Sequence, residues 1–254
     1  MNVARVLLLS PHFDDVPLSL GQSLTDGHLR GHDVTVVVVF SRTNWTQWFH
    51  PALDTPRILA ASAWRRGEEA VAGRRFRYRV RTLGLPEWML RTGRSDLEGL
   101  LDPSVDVTSD PTVEVVLDAV GRWVAASDAV AVCAAVGHHV DHQVVREVGA
   151  RLAGRADVDV AFYEDRPYAA IVPPDDLTAT GDRLAVRLAR PVDRVAVSGP
   201  VTPELHRRLR RTYPSQIDEL FTTAMAADAT AGAVERVWVP AQGHGFWPVA
   251  SVDR

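Results

Sequence analysis

The residues best suited to chemistry in this 254-residue chain gather in two short stretches, each directly after an apolar run. In the first, His12, Asp14 and Asp15 lie within "SPHFDD", after "ARVLLLS"; in the second, "GHHVDH" at 137–142 follows "AVAVCAAV". Crowding two carboxylates is costly unless a cation or hydrogen bonds compensate. A catalytic zinc takes three histidine or carboxylate ligands and leaves a position for water. The pattern indicates a metal hydrolase site in which one aspartate of the pair is free to act as a general base.

Each stretch also has a purely structural interpretation. "PHFDD" suits a solvated strand-to-helix turn with an aspartate as the helix N-cap. "HHVDH" suits surface histidines at the start of a helix, with Asp141 as the cap. The occurrence of both stretches in one chain favours the metal site. Within the second, His138 competes with His139 and His142 as a ligand.

The elements that must position these residues alternate along the first two thirds of the chain. Continuous apolar runs predict buried strands at 4–10, 33–41, 129–137 and 159–165, and "FRYRVRTLGLP" (76–86) predicts a strand near an edge. Helical spacing predicts helices at 16–31, 58–72 and 142–154, and another that begins near Pro111. This order predicts an α/β fold with a Rossmann-like, mainly parallel sheet and helices on both faces. Ligands bind beyond the carboxyl ends of such strands, so we expect the two stretches to share one site.

The C-terminal third departs from this alternation. We expect a β-hairpin-like segment at 182–198, a helical segment at 203–228 interrupted at Pro214, and a last strand in "ERVWVP". The chain shows no repeat, low-complexity tract or linker. A single domain over residues 1–254 is therefore predicted.

Composition limits the class of protein. The chain is 46% hydrophobic and 24% charged, with a net charge of −4, which argues against a general nucleic-acid binder. Its one cysteine, Cys133, lies in a buried apolar run and cannot form an intrachain disulfide. Because no apolar run reaches about 18 residues and no signal segment is evident, we expect a cytoplasmic protein without a membrane partner. The sequence leaves the oligomeric state open.

Taken in order, the motifs resemble the LmbE-like, or PIG-L-type, family of zinc-dependent N-deacetylases. "SPHFDD" is similar to that family's element after its first strand, and "HVDH" to a later element. Four further segments are also similar: "WRRGEE" (64–69), "LGLPEW" (83–88), "YEDRPYA" (163–169) and "RRTYPSQ" (210–216). The resemblance extends from Val3 to about Val239. It implies an LmbE-like fold with a decorated C-terminal third.

The resemblance also implies a set of roles at the site. One zinc ion per chain is implied, with the ligands His12, Asp15 and His142. Asp14 is implied as the general base that activates water and later returns the proton to the leaving amine. His139 is implied as a protonated histidine that stabilises the oxyanion. Asp141 is implied as the carboxylate that orients and charges a histidine.

Substrate contacts are implied less closely. Either Arg65 or Arg66 corresponds to the family's arginine that binds a substrate hydroxyl; a salt-bridged helix face is the alternative. Trp45 and Trp48 lie in a long loop at 42–57, where they are interpreted equally as a sugar-stacking wall or as loop packing.

The implied reaction is hydrolysis that removes an acetyl or other small acyl group from the nitrogen of a small amino-sugar-containing metabolite, in bacterial natural-product or thiol-glycoside metabolism. A zinc amidase of non-sugar amides or thiol conjugates is an alternative, as is a non-catalytic metal- or sugar-binding relative. The sequence departs from the family pattern at Val16, where a glutamate is usual. Specificity is expected from 42–57, 86–108 and the C-terminal third. His50 is assigned to the loop at 42–57, and His244 is assigned to a C-terminal turn.

Overall fold

A seven-stranded sheet forms the centre of the protein, in the strand order β3-β2-β1-β4-β5-β7-β6. The structure is a computed structural model that describes residues 3–48, 53–155, 158–241 and 245–248. The strands are β1 (Arg5–Ser10), β2 (Asp33–Arg42), β3 (Arg79–Pro86), β4 (Ala129–Cys133), β5 (Asp159–Tyr163), β6 (Val192–Pro200) and β7 (Val234–Pro240). Strands β1 to β5 pair in parallel, whereas β7 pairs antiparallel with both β5 and β6. The predicted mainly parallel α/β fold is confirmed.

Helices cover the sheet in two groups. The helices are α1 (Asp15–Asp26), α2 (Thr55–Phe76), α3 (Trp88–Thr92), α4 (Leu97–Leu100), α5 (Pro111–Val124), α6 (Val140–Ala153), α7 (Tyr168–Ile171), α8 (Pro174–Leu188), α9 (Pro203–Thr212) and α10 (Glu219–Thr230). Helices α1, α2 and α9 pack on one another, and α5, α6 and α8 form the second group. Among the described residues, no helix has both the length and the apolar character needed to span a membrane.

The apolar runs became strands because both faces of the sheet are covered. Every residue of β4 and β5 is buried, and so is every residue of β1 after Arg5. Strands buried on both faces read as continuous apolar runs rather than as alternating ones. Strand β3 lies at the edge, as predicted, and its Arg79 and Arg81 side chains are exposed there.

Two predicted elements are wrong in kind or extent. The segment 182–198 is not a hairpin, because its first part belongs to helix α8, whose Thr180 and Leu184 are four residues apart and share the buried face. Helix α1 ends before Gly27 rather than at Gly31. Gly27 forms a β-bridge with Ser198, and a Cβ at Gly27 would lie 2.6 Å from a backbone oxygen of that strand. A side chain at this close approach would displace β6.

Two other elements differ from prediction at their ends. Helix α2 begins at Thr55 instead of residue 58, because the Asp54 carboxylate accepts the Arg57 N–H and Pro56 fits the first turn. Strand β4 ends at Cys133 rather than at residue 137. Residues 134–137, which were predicted as part of this strand, instead form the loop that leads to the second histidine cluster.

Helix α1 is interrupted at Leu20, and a side chain from β7 caps the helical segment that follows. Leu20 has non-helical angles (φ −132°, ψ 16°), so the N–H groups of Gln22 and Ser23 begin a new helical segment. The buried Glu235 carboxylate accepts both, one on each oxygen, at 2.7 and 2.6 Å. Burial raises the pKa of Glu235 to about 8, while these hydrogen bonds and the charge of Arg166 oppose the rise.

Glu235→Gln tests this buried cap through stability as a function of pH. In the folded chain the pKa is about 8, against 4.5 for an unperturbed glutamate, so folding requires a proton that the unfolded chain gives up above pH 4.5. The contribution of Glu235 to stability is therefore full near pH 4.5 and declines until pH 8. We expect Glu235→Gln to cost roughly 1–3 kcal/mol at pH 5, through one mismatched hydrogen bond.

The difference in unfolding free energy between wild type and Glu235→Gln should narrow from pH 5 to pH 8, measured by urea denaturation. A difference that widens with rising pH would mean that the carboxylate is ionised in the folded chain. Glu219→Gln, at the exposed start of α10, is a control in which no such trend is expected.

Candidate metal centre and active site

The two histidine-containing stretches meet at one edge of the sheet. Strands β1 and β4 are parallel neighbours, with Leu9 opposite Val132, so the loops that follow them emerge side by side. The His12 and His142 rings lie with their centroids 5.2 Å apart. The structure therefore brings the two stretches together at the carboxyl ends of the strands, where open parallel sheets bind ligands.

Three buried side chains converge there with a geometry suited to a metal ion. His12 Nδ1 lies 3.3 Å from His142 Nε2, and the Asp15 Oδ2 atom lies 3.5 Å from each of these nitrogens. Tetrahedral zinc with bonds of about 2.0–2.1 Å separates its ligand atoms by about 3.3–3.4 Å. The two nitrogens and one carboxylate oxygen therefore match the spacing and the ligand types of a three-ligand zinc site.

Each histidine of this trio is held by a carboxylate at its other nitrogen. His12 Nε2 lies 3.0 Å from Asp141 Oδ2, and His142 Nδ1 lies 2.5 Å from Asp165 Oδ1. Such pairing fixes the tautomer and the ring orientation of a metal-binding histidine. Asp141, predicted to orient a histidine, contacts His12, and its Oδ1 also forms an ion pair with Arg91 at 2.7 Å.

The sequence analysis assigned no role to Asp165. It lies in "YEDRPYA", just after β5, and β5 is the neighbour of β4 in the sheet. The rule that placed the first two stretches at the carboxyl ends of adjacent strands also applies to this residue, and it would have singled out Asp165.

The electrostatics of the trio favour a positive charge between its members. Burial lowers the pKa of His12, but hydrogen bonds to Asp141 and Asp15 outweigh burial and raise the pKa to about 10. Burial raises the pKa of Asp15, yet the charges of His142 and His12 lower it to about 2. The carboxylate of Asp15 is thus ionised and ready to bind a cation.

Asp14 lies beside the trio and faces the cleft. It occupies the N-cap position of α1 with φ 92°, but its side chain makes no capping hydrogen bond. Its Oδ1 atom lies 3.4 Å from Arg65 Nη2. Burial holds the pKa of Asp14 well above its usual range; Arg65 opposes this shift and the neighbouring Asp15 adds to it. The environments of the two adjacent aspartates therefore shift their pKa values in opposite directions.

A buried glutamate holds the backbone of Asp14 in this conformation. The Asp14 N–H donates to Glu69 Oε2 at 3.3 Å, and Tyr213 donates its hydroxyl to the same oxygen at 2.7 Å. Tyr78 donates to the other oxygen, Oε1, at 2.7 Å. A positive φ is uncommon for a residue other than glycine and persists only where neighbours impose it. We infer that Glu69, together with the Tyr213 hydroxyl on the same oxygen, positions Asp14.

Tyr213→Phe is expected to lower turnover about tenfold with little change in KM, because it removes the hydroxyl that shares an oxygen of Glu69 with the Asp14 N–H. Tyr78→Phe is the matched control, since it removes an equivalent buried hydroxyl from the other oxygen. Each variant should lose roughly 1–3 kcal/mol of stability. Equal losses of kcat in the two variants, measured beside their unfolding free energies, would assign the tyrosines a structural role alone.

His139 caps α6 and presents its outer nitrogen to the cleft. Its Nδ1 atom accepts the Asp141 N–H at 3.2 Å, so Nε2 carries the hydrogen in the neutral ring. Burial holds the pKa of His139 well below its usual value, and the charges of His12 and His142 act in the same direction. His139, not Asp141, is thus the cap of α6. In this neutral form, which differs from the protonated histidine that the resemblance implied, it is placed to donate a hydrogen bond into the cleft.

The loop before α6 is held in an unusual conformation. Ala135, Gly137 and His138 all have positive φ angles. A Cβ at Gly137 would lie 2.9 Å from the ring of Tyr168, so this position accepts no side chain without movement. His138 is absent from the lining of the cleft and belongs to none of the potential metal-binding groups among the described residues.

The structure distinguishes between the two candidate arginines. Arg65 is buried in the cleft, where Nη1 lies 2.8 Å from Glu87 Oε1 and Nη2 donates to the Phe13 carbonyl. Arg66 is exposed on the opposite side of α2. The prediction that Arg66 faces the site is therefore wrong, because α2 turns only one of two adjacent residues toward the cleft. Glu87, in "LGLPEW", had been assigned no role.

The remaining candidates separate in the same way. Trp45 lines the cleft, whereas Trp48 is exposed and packs edge-to-face on Trp64, outside the cleft lining. Trp48 as a wall of the cleft is therefore wrong. Val16 is fully buried in the core, where an apolar side chain fits without a partner. His50 and His244 lie outside the described residues.

The cleft is a cavity of about 360 Å³ above the trio. Its floor carries His12, Asp14, Asp15 and His139, with Arg65 and Glu87 on one wall. This volume lies in the range of roughly 300–1,000 Å³ that holds small-molecule ligands. The arrangement of three metal-type ligands, a separate carboxylate and a hydrogen-bond donor is chemically suited to hydrolysis.

Comparison with known proteins gives a consistent result. The chain is 32% identical over 238 residues to a 2'-N-acetylparomamine deacetylase of Streptomyces fradiae, covering 91% of the chain and 80% of that relative. A protein of the same name from Niallia circulans is 26% identical over 189 residues, covering 64% of the chain and 66% of that protein. No family model matches the chain.

Solved structures of deacetylases share the fold. A deacetylase–teicoplanin complex superposes with a TM-score of 0.65 at 22% identity, covering 92% of this chain and 97% of that one. The zinc-inhibited form of a teicoplanin deacetylase gives a TM-score of 0.62 at 22% identity, covering 93% and 97%. At this level of identity the likeness establishes the α/β fold described above.

Proposed function

The chain belongs to the family of the 2'-N-acetylparomamine deacetylases, and we propose that it is a zinc-dependent hydrolase that removes the acetyl group from the nitrogen of an amino-sugar-containing metabolite. The name of the relatives supports deacetylation, and the motifs in "SPHFDD" and "HVDH" support a place in the LmbE-like group of zinc deacetylases. The observation that carries the metal assignment is the spacing of 3.3–3.5 Å between the ligand atoms of His12, Asp15 and His142.

In this proposal His12, Asp15 and His142 hold one zinc ion. The ion, when bound, polarises the amide carbonyl and lowers the pKa of water. Asp141 and Asp165 keep the histidine rings turned toward it through their hydrogen bonds to His12 Nε2 and His142 Nδ1. Zinc is favoured over magnesium or calcium because two of the three ligand atoms are imidazole nitrogens.

Asp14 and His139 divide the remaining work. Asp14 takes a proton from the water that attacks the carbonyl carbon, and it returns that proton to the nitrogen as the C–N bond breaks. His139 donates its Nε2–H to the oxyanion that develops on the carbonyl oxygen. Acetate and a free amine are the products. Arg65 acts by holding Asp14 and Glu87 in place rather than by binding substrate, because both partners occupy its guanidinium.

The test is release of acetate from glycosides of N-acetylglucosamine by the purified protein. Activity should be present with one equivalent of zinc, disappear with a chelator and return when zinc is restored. Zinc is titrated rather than added in excess, because one deacetylase of this fold is described in a zinc-inhibited form. Acetate release that a chelator leaves unchanged would contradict the proposed function.

A further inference from the structure

The cleft has a polar floor but an apolar mouth. Five large apolar side chains surround the opening: Trp45, Leu97, Leu101, Leu220 and Phe221. Leu97 is 66% exposed and Leu220 is 58% exposed, although both lie on the same cavity. Single exposed leucines are common on soluble proteins, but apolar side chains that converge on the opening of one cavity mark a binding surface.

Three separate parts of the chain supply this mouth. Trp45 comes from the loop after β2. Leu97 begins α4 and Leu101 follows it, and Leu220 and Phe221 lie in the first turn of α10. None of these segments belongs to the sheet that positions the metal-type ligands. The mouth is therefore built independently of the floor, and it coincides with the segments in which the sequence predicted specificity.

Charge is scarce at the mouth. Among the described residues that line the cavity, Asp218 is the one carboxylate that is not buried, and its Oδ1 atom already accepts the Phe221 N–H at 2.9 Å. A substrate with several free ammonium groups would find few partners for them here. An uncharged apolar group would instead cover the exposed Trp45, Leu97 and Leu220 side chains and remove their apolar surface from water.

We propose that the mouth binds an aromatic or alkyl group that the substrate carries on the amine side of the scissile amide, as the aglycone of an N-acetyl amino sugar. This inference rests on the proposed function. An acetyl group ends one carbon beyond the carbonyl, so with the amide at the trio only the amine side of the substrate extends as far as the mouth. The sugar spans the cleft, and its aglycone contacts the leucines and Trp45.

The experiment compares methyl, phenyl and hexyl β-glycosides of N-acetylglucosamine with the zinc-loaded full-length protein. Both kcat/KM for acetate release and the dissociation constant from calorimetry are measured. The phenyl and hexyl glycosides should exceed the methyl glycoside by roughly tenfold or more in both quantities, as expected when apolar groups fill a hydrophobic pocket.

Leu97→Ser and Leu220→Ser should each remove most of this preference. Leu59→Ser is the matched control, because Leu59 is 65% exposed on α2 and does not line the cavity. It should leave the preference intact.

Three results would overturn the inference while leaving the proposed function in place. The glycosides would be hydrolysed and bound alike; or an N-acetylated substrate with several free ammonium groups would be preferred over the phenyl glycoside; or the preference would follow N-acyl chain length instead of the aglycone. Acetate release from none of the substrates, with calorimetry still showing tighter binding of the phenyl and hexyl glycosides, would instead reject the proposed function and keep the apolar mouth.

Discussion

Asp14→Asn is expected to lower kcat by about 10²–10⁴-fold, the range that general acid–base catalysis contributes, while the chain keeps its bound zinc. Asparagine preserves the size of the side chain but cannot take the proton from water. Asp14 lies beside the trio rather than within it, since none of the potential metal-binding groups among the described residues contains Asp14. The measurement is acetate release together with zinc content by elemental analysis.

Asp26→Asn is the matched control for this change. Asp26 ends the same helix, and its carboxylate is exposed and paired with Arg30 on the surface. The variant should retain wild-type turnover and zinc. If Asp14→Asn turned over at a near-wild-type rate, Asp14 would not be the base. If it lost zinc, Asp14 would belong to the ligand set.

Removing a metal ligand should reduce turnover to a similar extent, but through the loss of bound zinc. Asp15→Asn and His142→Ala are each expected to abolish tight zinc binding and reduce acetate release to background, because a three-ligand site loses a third of its ligands. The stabilisation that zinc gives the folded chain should disappear with it, since a ligand that binds only the native state raises stability according to its affinity. Thermal unfolding with and without one equivalent of zinc measures this directly.

Asp165→Asn provides the graded case. It leaves the three ligands in place but removes the negative charge from the carboxyl that faces His142 Nδ1, so zinc affinity should fall by about 10–100-fold without being lost. His138→Asn is the control, because asparagine tolerates the positive φ of that position. Loss of zinc from His138→Asn, or retention of zinc by His142→Ala, would require a different ligand set.

The sheet was predictable because its strands are covered on both faces. The sequence of a strand that is buried on both faces is a continuous apolar run, as in β1 and β4. Helix α8 was missed because "RLAVRLA" was interpreted as part of a hairpin, although its arginines and its leucines each recur four residues apart, as in a helix.

The residues of the site also differ in how far the sequence could predict them. His12, Asp14 and Asp15 are close in sequence, as are His139 and His142. Their spacing along the chain was therefore enough to predict a metal hydrolase site. Their partners come from distant parts of the chain: Glu69 from α2 reaches Asp14, and Asp165 from beyond β5 reaches His142. A buried carboxylate that supports another residue has no local pattern to mark it, because its partner is set by packing.

The function of Arg65 shows the same limit. A motif resemblance suggested contact with a substrate hydroxyl, with the register open by one residue. Helix geometry resolves the register, and the ion pairs to Glu87 and Asp14 support the positioning role proposed above. The surroundings of Val16 also explain why valine stands where the family usually has glutamate, since full burial in the core favours an apolar side chain there.

The most direct test of this account compares two adjacent, isosteric substitutions. Asp14→Asn and Asp15→Asn are purified in parallel, and zinc per chain and the rate of acetate release are measured on the same samples. We expect Asp14→Asn to keep about one zinc per chain and to lose turnover, whereas Asp15→Asn should lose both. Equal zinc content in the two variants, or turnover retained in Asp14→Asn, would contradict the division of the pair into a base and a ligand.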